Sequence, residues 1–124
     1  MQSFSQEYFE ELARRLNADA DWTNKAARLT TKITLTVTDR AASFQLDIAN
    51  GAVTARKVAT DDPAEFKFEG PYDVWAKIAA GTLDFQTAVL TGKMKFRGSL
   101  PKIMGIQPQM NRLTAVAKEI RAES

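Results

Sequence analysis

The 124-residue chain contains no cysteine and no histidine. Those two absences exclude disulfides, thiolate nucleophiles, the usual zinc sites, a Ser-His-Asp triad and a near-neutral imidazole base. Most hydrolytic chemistry loses its working parts. Glycine and proline are scarce, at six and four residues, and the glycines are never bunched. No phosphate cradle is written, so Gly51, Gly70, Gly81, Gly92, Gly98 and Gly105 read as turns and helix stops. A run of eighteen apolar residues is also missing, and the first ten residues carry Glu7 and Glu10 where a signal peptide needs a basic and then a greasy stretch. The expectation is a protein that neither spans a membrane nor is exported. Charge of one sign is lacking too: 17 Lys plus Arg against 15 Asp plus Glu leave +2, too mild to demand a polyanionic partner.

What is present is the composition of an ordinary soluble domain, 44% apolar and 26% charged, and residues 1–124 are expected to form one unit around one core. Phe4, Tyr8, Phe9, Leu12 and Leu16 recur at helical spacing behind a capping-box pair, Ser3 and Gln6, with Asn17 to Asp21 as the stop. Residues 32–38 alternate Ile33, Leu35 and Val37 against threonines, which predicts a half-buried strand. Phe44, Leu46 and Ile48 repeat the pattern, Asn50-Gly51 is a two-residue hairpin signal, and residues 53–58 form the return strand. Residues 65–69 give a fourth strand after the break at Asp61-Asp62-Pro63, so the first four strands read as an antiparallel meander.

The period then changes. Val74, Trp75, Ile78 and Ala79 predict a short helix ended by Gly81, and Asp84 caps a second one presenting Phe85, Ala88 and Val89. Residues 93–97 alternate as a fifth strand with a basic outer side. Ser99 caps a short turn containing Leu100, Ile103 and Met104, and Pro108 opens a helix with Met110, Leu113, Ala117 and Ile120 on one stripe. An α+β fold follows, with helices laid on one face of a five-stranded, mainly antiparallel sheet.

Residues that carry chemistry are few. Asp61 and Asp62 are neighbours that point apart and belong to a turn, and the Asp19, Asp21 pair lacks the rest of a calcium loop. From Lys93 onward seven basic residues face two acidic ones, a weak attraction for an anionic membrane surface or simply a solvated face. Nucleic acid is excluded by the alternation itself, because Phe96 faces away from Lys95 and Arg97, whereas base stacking needs ring and cation on one surface. The second half is rich in apolar residues, with Met94, Met104 and Met110 close together. Methionine suits a surface that re-packs around varied apolar partners, and equally fills ordinary cores. Residue patterns leave both readings open.

Residues 70–78, Gly-Pro-Tyr-Asp-Val-Trp-Ala-Lys-Ile, followed by Gly81-Thr82-Leu83-Asp84 and by Thr91-Gly92-Lys93-Met94-Lys95-Phe96-Arg97-Gly98-Ser99, resemble the consecutive signatures of the sterol carrier protein type-two domain family. The resemblance spans roughly residues 20–120. It implies a sheet and helices enclosing an apolar tunnel for fatty acids, acyl chains, sterols or similar lipids, with no enzyme activity and no cofactor. It also implies a partner that is an apolar small molecule, while transient contact with an anionic membrane surface is the expectation from the basic last quarter. Unlike peroxisomal members, the chain ends Arg121-Ala122-Glu123-Ser124 rather than in a Ser-Lys-Leu type of signal, so the expected location is cytoplasmic. The tunnel-lining residues expected from the resemblance are Leu35, Leu46, Trp75, Ile78, Phe85, Val89, Met94, Phe96, Met104, Ile106, Met110 and Leu113, with residues 105–113 moving as a lid. The competing expectation is a protein-interaction or dimerisation module of the same fold with a filled core.

Overall fold

The structure, a computed structural model, describes residues 4–123. Ser5 Oγ accepts a hydrogen bond from the Tyr8 amide at 3.2 Å, so helix α1 runs Gln6–Ala18. The expected cap Ser3 lies outside the described residues. Phe4, expected on the helical stripe, instead precedes the helix with φ at +57°, and its ring packs 5.2 Å from Tyr8 and 5.5 Å from Trp75. The helix stops where expected, but the stop is also a start: the Asp19 carboxylate accepts from the Trp22 amide at 2.7 Å and opens a second helix, α2 (Ala20–Lys25), absent from the sequence reading. Trp22 on α2 is buried and donates its indole N–H to Gly51 O at 2.8 Å.

The sheet comprises β1 (Thr31–Val37), β2 (Ala42–Ala49), β3 (Ala52–Val58), β4 (Phe66–Gly70) and β5 (Lys95–Arg97), in the order β3-β2-β1-β4-β5. Asn50 and Gly51, at φ +50° and +87°, form the two-residue turn that pairs Ala49 with Ala52. The fourth strand corrects the meander: β4 lies beside β1, not β3, and runs parallel to it, with Ile33 opposite Phe66 and Leu35 opposite Phe68. Parallel neighbours need a crossover. Residues 59–65 supply it, passing over the polar face of the sheet.

That crossover explains a second departure. Thr34, Thr36, Ser43 and Gln45 are buried although they are polar. Gln45 Nε2 donates to Pro63 O at 3.1 Å, Ser43 shares a hydrogen bond with Thr60 at 3.0 Å, and Thr36 with Ser43 at 2.8 Å. Each of these four side chains has a partner, Thr34 accepting from Gln45 Nε2 at 3.3 Å, which is the condition for burying them cheaply.

The apolar face carries the core. Phe9 of α1 packs 4.8 Å from Phe44, and Trp75 of helix α3 (Tyr72–Ala80) donates its indole N–H to Thr36 O at 2.9 Å. Helices α4 (Phe85–Leu90), α5 (Leu100–Gly105) and α6 (Gln107–Glu123) complete the layer. The expected turn after Ser99 is thus a short helix. Among the described residues no helix is long and apolar enough to cross a membrane.

Candidate functional site

Helices α1, α2, α3 and α6 approach the sheet or one another closely along their backbones, whereas α4 and α5 make no comparable approach to any element. Standing off in this way, they leave a cavity of about 840 Å³ between α4, α5, α6 and the β4–β5 end of the sheet. Its floor is aromatic: Phe68 and Phe96 are register partners on the apolar face, with ring centroids 5.1 Å apart. Strand alternation sends the neighbouring Lys95 and Arg97 to the other face, as expected. Asp84 accepts from the Thr87 amide at 2.7 Å to start α4, which presents Phe85 and Val89 one turn apart. Ile103 and Met104 of α5 and Met110 of α6 close the apolar walls.

Two features of the lining break the apolar pattern. Gln107, Asn111, Thr114 and Lys118 recur at i, i+4, i+7 and i+11 along α6, forming a polar stripe on one wall. At the far end of this stripe sits Gly81, the residue closing α3 at φ +81°, with its amide bonded to Ile78 O and the Thr82 amide to Lys77 O. Leu90, Leu100 and Met104 form the outer edge. They are 77%, 56% and 66% exposed, and they are the large exposed apolar side chains of the described residues.

The twelve residues expected to line a tunnel divide into three groups. Ile78, Phe85, Val89, Phe96, Met104 and Met110 border this cavity. Leu35, Leu46, Trp75 and Leu113 border a separate void of only about 30 Å³ deeper between α1 and the sheet, whose lining also includes Ile78 and Phe85. Met94 and Ile106 border neither. Met94 is buried near Gly70, where a Cβ would meet its Cε at 3.3 Å, and Ile106 is the single residue separating α5 from α6. The methionines therefore serve three different ends: core, rim and wall. The sequence reading missed Phe68, Leu83, Leu90, Leu100 and Ile103, and the polar stripe on α6, although its spacing was there to count.

Three basic side chains of the last quarter are paired with acidic neighbours. Arg97 pairs with Glu69 at 3.2 Å, Lys102 approaches Glu65 at 3.9 Å, and Arg112 grips Asp19 with two hydrogen bonds of 2.9 and 2.6 Å. Hydrogen bonds from Arg112 and then from the Trp22 amide hold the Asp19 carboxyl down at about 2. Asp84 is lowered by its bonds to the Thr87 amide and hydroxyl. No cluster of three or more metal-ligating side chains occurs among the described residues.

A helix layer standing off one end of a sheet, over an aromatic floor with an exposed apolar lip, defines an α+β domain built around an apolar cavity. The profile of the SCP-2 sterol transfer family matches residues 9–111, and the chain belongs to that family, whose domains bind or transfer lipids. The fold matches a crystal structure of sterol carrier protein 2 with a TM-score of 0.84 at 20% identity, covering 95% of this chain and 98% of that one. A conserved hypothetical protein from Thermus thermophilus matches at 0.77 and 21% identity, over 97% of this chain and 90% of that one. A sec-alkylsulfatase from Pseudomonas sp. matches at 0.65 and 27% identity, but over 82% of this chain and only 15% of the larger protein. The fold therefore also occurs as a part of an enzyme. No curated protein matches the chain at a significant level.

Proposed function

We propose that this protein is a non-enzymatic carrier that takes the hydrocarbon tail of a fatty acid or similar lipid into the cavity under α4 and α5. The observation carrying this reading is the space itself: about 840 Å³, walled mainly by apolar side chains, within the ~300–1,000 Å³ range of small-molecule sites. Burying a sixteen-carbon chain is worth on the order of 12 kcal/mol at ~0.8 kcal/mol per methylene. Association and ordering oppose it by ~4–15 kcal/mol, which leaves room for micromolar binding without any specific polar contact. Exchange proceeds by displacement of α5 about Ile106, with Leu90, Leu100 and Met104 meeting the membrane that gives or takes the lipid.

The competing module with a filled core has less support, because the space beneath α4 and α5 is not filled. Uptake of a fluorescent fatty acid tests the proposal. Val89, half-buried on the wall, is the position to block: Val89→Arg places a charge in the tail's path and is expected to weaken uptake at least tenfold while the far-UV circular dichroism is preserved. Unchanged uptake in a folded Val89→Arg protein removes the tail from this cavity.

A further inference from the structure

The polar stripe on α6 runs along a mainly apolar cavity, about 16 Å from Gln107 to Lys118 at 1.5 Å per residue. Its members are not equivalent. Gln107 Nε2 donates to Asn111 Oδ1 at 2.9 Å, and the Thr114 hydroxyl donates within its own helix to Met110 O and Asn111 O at 3.2 and 3.0 Å. Those three side chains have partners within the helix. Lys118 makes no hydrogen bond or ion pair among the described residues. Its stem crosses Gly81, where a Cβ would lie 2.7 Å from Lys118 Cε and 2.8 Å from Nζ. The other charged residue of the lining, Asp84, already serves the α4 amides, with its Oδ1 accepting from Thr87. The cavity thus offers one unmatched charge, positive, at the end of a polar wall whose other members are satisfied.

We infer that Lys118 is the head-group contact of this cavity and that the preferred occupant is a single-chain amphiphile ending in a carboxylate, rather than a neutral lipid. This rests on the carrier reading and deepens it. The carboxylate meets the Lys118 ammonium beside Gly81, and the tail runs toward Phe68 and Phe96. Lys118 is exposed, so the pair is partly screened and the preference is moderate, about fivefold.

Palmitate and hexadecanol share a tail and differ in the head, so their affinities for the full chain isolate the contact. The wild-type protein is expected to bind palmitate about fivefold more tightly, with the margin shrinking as salt is raised while hexadecanol binding holds steady. Lys118→Gln removes the margin, leaves hexadecanol binding and the thermal midpoint unchanged, and Lys118→Arg restores it. A merely structural role for Lys118 would lower the thermal midpoint or weaken both ligands alike, and that result overturns the assignment. So does a wild-type protein without preference, or a margin that survives Lys118→Gln. If neither ligand binds the wild-type protein, the carrier reading falls and this inference with it; if both bind equally, only this inference falls.

Discussion

Asp19 joins three helices with one carboxylate: it follows the last residue of α1, caps α2 through the Trp22 amide, and receives both arms of Arg112 from α6. Its folded pKa of about 2 lies below the ordinary 3.8, so its contribution is complete above about pH 4 and disappears as the pH falls toward 2. Asp19→Asn keeps the shape and loses the charge, and is expected to cost about 1 kcal/mol near neutrality, partial exposure included. Urea midpoints of variant and parent should converge on acidification through that window; a constant gap would mean that the charge is not what matters. Glu11 is depressed to about 2 as well, first by its hydrogen bond from Arg14 and then by that from Arg15, yet Arg14 is 68% exposed. Solvent screening takes most of that pair's value, so Glu11→Gln is expected to leave the urea midpoint nearly unmoved.

At the scale of elements, the contrast lies between helices pressed on the sheet and helices held off it. The backbones of α4 and α5 approach no other element as closely as those of the other helices do, so their amides are expected to exchange with deuterium much faster than those of α1, β1 and β2, and to slow when palmitate is bound. Equal protection across all helices would contradict a mobile roof. Gly81→Ala places a side chain at φ +81° against the Lys118 stem and is expected to cost about 1–2 kcal/mol in thermal unfolding. Much of this layer was legible beforehand. Period-two alternation and the Asn50-Gly51 turn marked β1, β2 and β3, and Asp84 and Gly81 marked the bounds of α4 and α3. The parallel placement of β4 was not, because Asp61-Asp62-Pro63 reads alike as a tight return or as the middle of a crossover. Nor was α2, whose six residues are too short for a periodic signal and depend on the Asp19 cap and the burial of Trp22. The burial of Thr34 and Gln45 was hidden for a related reason: polar residues look exposed until the loop that bonds them is located.

In the whole molecule, apolar content in the second half exceeds what the sheet can bury, and the surplus surrounds a space instead of filling it. The sequence located the region of that space but mixed its wall with the core behind it. Leu35, Leu46 and Trp75 share the apolar character of Val89 and Met104, and hydropathy cannot tell a residue facing packed neighbours from one facing a cavity. Native mass spectrometry of the purified protein, paired with solvent extraction of the same sample, addresses that space most directly. The account predicts a population carrying the added mass of one lipid, recovered in the extract and lost in Val89→Arg. A wild-type protein that flies bare, and remains bare after incubation with palmitate, contradicts it.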